Sequence, residues 1–176
     1  MQSSKIPFLD FSFHAPLKAS LLESAQSVID SNWFVNGKEV TSFECEWAKY
    51  LGSQHVVGVN SGLDALELSL RAGNIGPGDE VIVPSNTYIA TALAATHVGA
   101  TPIFVECNPN TYLIDTARIE AAITEKTKAI IPVHLYGQAC NMTDIMDMAL
   151  KYDLFVVEDN AQAHGSIWLG QKTGSI

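Results

Sequence analysis

The chain has 176 residues, 47% of them hydrophobic and 16% charged, and this balance excludes a disordered, collagen-like or coiled-coil protein. Ten basic against nineteen acidic residues give a formal net charge of −9, which disfavours nucleic acid and anionic membranes as partners because both are polyanions. A small anionic ligand stays compatible with this charge, since backbone N–H groups at the start of a helix can bind one.

Two amphipathic helices are predicted at the N-terminus. Apolar residues recur at helical spacing, first at Leu17, Leu21, Ala25 and Val28 and then at Val40, Phe43, Trp47 and Tyr50. Asn36 and Gly37 mark the break between the two helices, and Gly52 follows the second helix in the usual C-terminal position. We therefore assign residues 1–52 to a helical segment that packs on a larger domain formed by residues 53–176.

Strands and helices alternate from residue 53 onward. Short apolar runs predict strands at residues 56–60, 80–84, 102–106, 129–135 and 154–158. Helices are predicted after Ser61, over residues 87–98, after the N-cap Asp115 and after the N-cap Asn141. The strands are continuously apolar rather than two-faced, which predicts an α/β fold: a mainly parallel sheet with helices on both sides, in a three-layer αβα sandwich.

Candidate ligand-binding residues follow the predicted strands, because ligands of parallel sheets bind beyond the carboxyl ends of the strands. At the first strand-to-helix turn, the N–H groups of Ser61, Gly62 and Leu63 and the Ser61 hydroxyl are placed to hold a phosphate at the positive end of the helix dipole. The alternative is that Ser61 is an ordinary helix N-cap.

Three further side chains belong to the same predicted crevice. Asp159 ends a buried strand and can hold a positive charge on a heterocyclic nitrogen, or it can cap the following turn. Tyr88 begins a helix, where its ring can stack on a flat ligand or simply pack. His164 follows shortly after Asp159, and a lone histidine is either a ligand-binding group or a structural residue.

Several other functions are disfavoured by missing motifs. The first predicted strand is followed by no GxGxxG, and residues 165–173 miss the phosphate-binding P-loop spacing by one position. The sequence contains no GxSxG, no HExxH and no Cys/His ligand spacing, so we predict neither a serine hydrolase nor a metal site.

The cysteines and the N-terminal residues indicate the subcellular compartment of the protein. Cys45, Cys107 and Cys140 are widely spaced and odd in number, which is typical of reduced thiols in a cytoplasmic protein. The first ten residues lack the basic and apolar regions of a secretory signal, and no apolar run is long enough to span a bilayer. We expect a cytoplasmic protein.

A series of ordered motifs runs along nearly the whole chain. They are NSGLDAL at residues 60–66, GPGDEVIVPS at 76–85, TYIAT at 87–91, GATP at 99–102, AAIT at 121–124, TKAIIPVHLYG at 127–137 and EDNAQAHG at 158–165. Together they resemble the sugar aminotransferases of the DegT/DnrJ/StrS family, which are pyridoxal-phosphate enzymes with the aspartate-aminotransferase fold. The resemblance implies that residues 53–176 are a truncated form of the family's large, cofactor-binding domain.

The resemblance also implies roles for individual residues. Ser61, Gly62 and Leu63 would hold the cofactor phosphate, and Leu63 stands where many members have threonine. Tyr88 would stack on the pyridine ring and Asp159 would pair with the ring nitrogen. Gln162 would hydrogen-bond the phenolic oxygen, His164 is a candidate for substrate binding, and Asn160 replaces a residue that is often alanine.

Chain length is the main departure from the family. Members are roughly twice as long, and their Schiff-base lysine lies beyond the position equivalent to Ile176; no lysine of this chain matches it. Transamination needs that amine as the partner of the cofactor and as the base that moves the proton. We therefore expect the 176-residue chain alone to be inactive.

The complete protein is accordingly expected to transfer an amino group, from glutamate, to a nucleotide-linked keto-deoxysugar. Residues 31–40 and 60–66 look most like members that act on dTDP-3-keto-6-deoxyhexoses, in the biosynthesis of surface polysaccharides or deoxyaminosugars. Family membership also implies a homodimer at full length. Two alternatives stay open: a sugar dehydratase of the same family, in which histidine replaces the lysine, and a non-catalytic truncated homologue.

Overall fold

The N-terminal part of the chain is helical. The computed structural model describes Pro7 and residues 10–176, which divide into two compact units, one ending at Glu46 and one running from Trp47 to Ile176. Helix α1 spans Lys18–Ser31 and ends at Asn32, which adopts the left-handed conformation that asparagine tolerates. Helix α2 spans Lys38–Leu51 and continues into the second unit. Both predicted N-terminal helices are thus confirmed.

A four-stranded, entirely parallel sheet forms the centre of the second unit. Its strands are β1 Glu80–Pro84, β2 Thr101–Val105, β3 Thr127–Ile130 and β4 Phe155–Val156, in the spatial order β2-β1-β3-β4. The helices between and before them are α3 Gly62–Ala72, α4 Ile89–His97, α5 Thr116–Ala122 and α6 Met142–Tyr152. A short antiparallel hairpin follows, formed by β5 Ile167–Trp168 and β6 Gln171–Lys172.

Helices cover both faces of this sheet, because successive side chains of each strand point to opposite sides. Val81 and Val83 of β1 belong to a buried cluster with Leu66 and Leu70 of α3 and with Ala94 and Ala95 of α4. Ile82 of β1 instead packs in a second cluster with residues of α5 and α6. The predicted fold class, a three-layer αβα sandwich around a parallel sheet, is therefore confirmed.

Several predicted strands differ from the structure. β4 covers only Phe155–Val156 of the predicted 154–158, and β2 is shifted by one residue from the predicted 102–106. Residues 56–60 form no strand: Val57 and Val59 are exposed and pair with no neighbour among the described residues. Their β-branched composition favours extended backbone, but among the described residues they belong to no ladder of the sheet. β3 begins at Thr127 and ends at Ile130, two residues before Pro132, which has no N–H to donate. Beyond it, Ile131 N–H still donates to Ile82 C=O, and an isolated bridge joins Val133 to Asp159.

The order of the strands places a crevice at one end of the sheet. The chain leaves β1 through α4 to reach β2 on one side, and later enters β3 on the other side of β1. Ligands of parallel sheets bind where the order reverses in this way, beyond the carboxyl ends of the strands. In the described part of the chain, no helix is both long and apolar enough to cross a membrane.

Because helices bury both faces of the sheet, we expect a buried leucine and an exposed leucine to differ in their contribution to the free energy of unfolding. Leu70 in α3 is 0% exposed, whereas Leu150 in α6 is 86% exposed. We expect Leu70→Ala to lower the free energy of unfolding by about 2–5 kcal/mol, through lost burial and a residual cavity. Leu150→Ala, the matched control, should change it by less than ~0.5 kcal/mol. Urea unfolding measures both, and equal losses would contradict this packing of α3.

Candidate functional site

A cavity of about 490 Å³ lies at the carboxyl end of the sheet. Its walls come from the N-terminus of α3, the N-terminus of α4 and the residues after β4. Most of the predicted cofactor-binding residues line it, namely Ser61, Gly62, Leu63, Tyr88 and Asp159. Residues almost a hundred positions apart in sequence thus share one site.

The N-terminal end of α3, called the helix mouth below, consists of Ser61, Gly62 and Leu63 and combines an N-cap with free backbone donors. The Ser61 Oγ accepts a hydrogen bond from Asp64 N–H at 3.1 Å and donates one to Asp64 Oδ2 at 2.8 Å. Ser61 is therefore an N-cap, as the alternative interpretation of the sequence proposed. The first intrahelical bond runs from Ala65 N–H to Ser61 C=O, which leaves the N–H groups of Gly62 and Leu63 unused at the mouth.

This mouth has the properties of an anion site. The positive end of the α3 dipole adds to the two free N–H groups, and a Cβ at Gly62 would meet nothing within 4 Å. The Ser61 hydroxyl is already engaged, so an anion would have to replace Asp64 Oδ2 as its acceptor. The main donors to an anion are consequently backbone groups rather than the serine hydroxyl.

The Asp159 carboxylate is held from two directions. Its Oδ1 accepts from Ala161 N–H at 3.1 Å and its Oδ2 from Thr91 Oγ1 at 3.2 Å. Thr91 Oγ1 is in turn 2.8 Å from Thr87 Oγ1. An ionised carboxylate only accepts, so Thr91 donates to Asp159 and Thr87 donates to Thr91. The carboxylate therefore both caps the turn after β4 and faces the cavity, which combines the two interpretations of the sequence.

The two threonines were not identified from the sequence. Thr91 is buried, and its hydroxyl donates to the Asp159 carboxylate that lines the cavity. Thr87 precedes the N-cap Tyr88 and Thr91 lies in the first turn of α4, so helical spacing alone does not bring the two hydroxyls together.

Tyr88 immediately precedes α4 in extended backbone, and its side chain is 75% exposed. The ring is therefore not used for packing within the described structure, although it lines the cavity. Its position leaves the aromatic face available to a flat ligand.

Gln162 and His164 do not line the cavity. Gln162 Oε1 accepts from the Tyr136 N–H at 3.0 Å. The His164 ring lies edge-on to Trp47, with 5.6 Å between ring centroids. The cofactor role of Gln162 and the substrate role of His164 stay predictions.

Comparison with known proteins places this architecture among aminotransferases. The model of the DegT/DnrJ/EryC1/StrS aminotransferase family matches residues 16–176. The dTDP-3-amino-3,6-dideoxy-alpha-D-galactopyranose transaminase of Aneurinibacillus thermoaerophilus is 51% identical over 97% of this chain and 47% of its own length. The chain thus spans about half the length of the curated relatives it matches.

Solved structures show the same partial coverage. DesV of Streptomyces venezuelae superposes with a TM-score of 0.93 at 45% identity, over 98% of this chain and 47% of DesV. NtdA of Bacillus subtilis, solved with bound cofactor PMP, superposes with a TM-score of 0.89 at 38% identity, over 97% of this chain and 40% of NtdA. The fold of the chain is therefore that of one part of these larger proteins.

The hydrogen bonds from Thr87 through Thr91 to Asp159 predict that removing the Thr91 hydroxyl lowers the stability of the fold. Thr91→Val keeps the shape of the side chain but removes the donor to Asp159 Oδ2 and the acceptor for Thr87. We expect a loss of about 1–3 kcal/mol in the free energy of unfolding, because buried polar groups lose their partners. Thr96→Val, at an exposed position of the same helix, is the control. Similar losses for both variants in urea unfolding would show that the Thr91 hydroxyl does not support the carboxylate.

Proposed function

We propose, from the premise that the chain belongs to the DegT/DnrJ/EryC1/StrS aminotransferase family, that it is the N-terminal part of a pyridoxal-phosphate-dependent sugar aminotransferase. The observation that carries the proposal is the meeting of an anion-binding helix mouth, an exposed aromatic ring and a fixed carboxylate in one cavity. Those are the three features that a phosphorylated pyridinium ring requires of its binding site.

The residues of the cavity fit this cofactor. The N–H groups of Gly62 and Leu63 would hold its phosphate, the Tyr88 ring would cover one face of its pyridine ring, and Asp159 would accept the proton of the ring nitrogen in a hydrogen bond. Leu63 offers no hydroxyl, so the phosphate would depend on backbone donors at that position. When bound there, pyridoxal phosphate supplies an electron sink for bond breaking at the substrate's amino carbon.

The chain contributes orientation and a low-dielectric environment. Thr91 and Ala161 each donate to one oxygen of Asp159, so the orientation of the carboxylate is held while further lone pairs stay available to a ligand. Leu66 and Leu93 also line the cavity and give part of its wall an apolar character. A charge-assisted hydrogen bond from a ring nitrogen to Asp159 is stronger in such surroundings than in water, which favours the protonated ring.

The amine that transamination needs is proposed to lie beyond Ile176. Among the described residues, no lysine lines the cavity, which supports this assignment. The isolated chain would then bind the cofactor without turning over. Residues 1–52 are proposed as the helical segment and residues 53–176 as part of the cofactor domain of a protein that is a cytoplasmic homodimer at full length.

The proposed substrates are glutamate and a dTDP-3-keto-6-deoxyhexose, for deoxyaminosugar or polysaccharide biosynthesis. The support is the 51% identity to a relative named as a dTDP-3-amino-3,6-dideoxyhexose transaminase. A family dehydratase differs at the lysine position, so the residue found there discriminates between it and a transaminase.

Cofactor binding by the chain is the first test. We expect the chain to bind pyridoxal phosphate in an absorbance titration, and Asp159→Asn to raise the Kd about tenfold or more, equivalent to ~1.4 kcal/mol, because the ring nitrogen loses an anionic partner. Asp153→Asn is the matched control, since Asp153 is exposed at the end of α6. No binding, or equal Kd values for the two variants, would contradict the proposed site.

Substrate choice is tested in the complete protein that contains this chain. With pyridoxal phosphate and glutamate, we expect amination of a dTDP-3-keto-6-deoxyhexose, detected as 2-oxoglutarate release and an amino-sugar product. The dTDP-4-keto-6-deoxyhexose is the matched comparison, because it differs only in the position of the carbonyl. Turnover of the 4-keto sugar alone would reject the proposed substrate.

A further inference from the structure

A buried carboxylate precedes the cavity carboxylate in sequence. The Glu158 side chain is only 7% exposed, and three N–H groups converge on it. Its Oε2 accepts from His134 Nε2 at 2.9 Å and from Gly174 N–H at 2.9 Å, and its Oε1 accepts from Ile176 N–H at 2.6 Å. Such a set of donors is what allows an ionised carboxylate to be buried without a cationic partner.

The protonation of His134 follows from its second contact. The backbone N–H of Cys140 can only donate, and it lies 3.0 Å from His134 Nδ1, which must therefore accept. The proton of the neutral imidazole is then on Nε2, where it is donated to Glu158. Burial, together with the negative charge of Glu158, raises the pKa of the Cys140 thiol to about 12. The His134 side chain is fully buried.

Asn160 and Glu158 both bind the segment formed by residues 173–176. Its Nδ2 donates to Thr173 C=O at 3.1 Å, and its Oδ1 accepts from Thr173 Oγ1 at 2.8 Å. Glu158 and Asn160 both contact residues 173–176, whereas the intervening Asp159 contacts Thr91 and the cavity. This is the alternation expected of extended backbone.

We propose that Glu158 is a positioning residue for Asp159: with His134 and Asn160 it clamps residues 173–176 against the end of β4 and so fixes the direction of the Asp159 side chain. His134 connects this clamp to Asp159, because its backbone N–H donates to Asp159 C=O at 3.0 Å while its ring binds Glu158. The clamp itself is independent of any ligand. Its effect on the cavity rests on the proposed function, in which Asp159 binds the ring nitrogen of pyridoxal phosphate.

The clamp is tested by amide hydrogen exchange in the 176-residue chain. Glu158→Gln replaces one acceptor oxygen by an NH₂ group that faces another N–H donor, and we expect the Gly174 and Ile176 amides to exchange at least about tenfold faster. In His134→Asn, the Asn oxygen can still accept from Cys140 N–H, but the shorter side chain no longer reaches Glu158. This variant should therefore produce the same change in exchange even if the first variant unfolds. Glu125→Gln, at an exposed position, is the control. Unchanged exchange at both amides in His134→Asn would overturn the clamp.

The positioning role is tested by a double-mutant cycle with pyridoxal phosphate as the titrant. If Glu158 acts through Asp159, Glu158→Gln should raise the Kd about tenfold in the native background but less than about twofold in the D159N background. If Glu158→Gln raised the Kd by the same factor in both backgrounds, the positioning role would be overturned, because a merely structural defect is independent of the Asp159 charge. A native chain that binds no pyridoxal phosphate would refute the proposed function and the positioning role, while the exchange experiment would still decide the clamp.

Discussion

Burial of both faces of the parallel sheet is the constraint on which the rest of this structure depends. Val81 and Val83 of the central strand β1 pack with α3 and α4, while Ile82 packs with α5 and α6, so both faces of β1 are buried. This burial leaves the ends of the strands and the helix N-termini beside them as the places where polar groups can meet a ligand. The cavity lined by Ser61 and Asp159 lies at such an end.

The cavity also shows how an acidic chain can carry an anion site. The net charge of −9 is spread over the molecule, whereas the unused N–H groups of Gly62 and Leu63 act within a few ångströms. The carboxylate of Asp159 stands elsewhere on the wall, held by Thr91 and Ala161. Opposite partial charges are thus separated within one cavity, which suits a ligand with a phosphate at one position and a cationic nitrogen at another.

Prediction from the sequence succeeded where local pattern and tertiary structure agree. The N-caps Asp115 and Asn141 each accept a hydrogen bond from a backbone N–H in the first turn of their helix, as their residue types suggest. It was wrong for residues 56–60, because an apolar, β-branched run indicates extended backbone but not whether another strand lies beside it. It also missed the hydroxyl chain from Thr87 to Asp159, which joins residues far apart in sequence.

The αβα class and the helix ends can be predicted from the sequence, because periodicity and capping are local properties, and the ordered motifs indicate the family. The folded arrangement is needed to see that Gln162 and His164 lie outside the cavity, and that Glu158 and Asn160 bind residues 173–176 while Asp159 faces the cavity. The physical reason is that a hydrogen bond between distant segments depends on the order and register of the strands, and these are fixed by packing across the whole sheet.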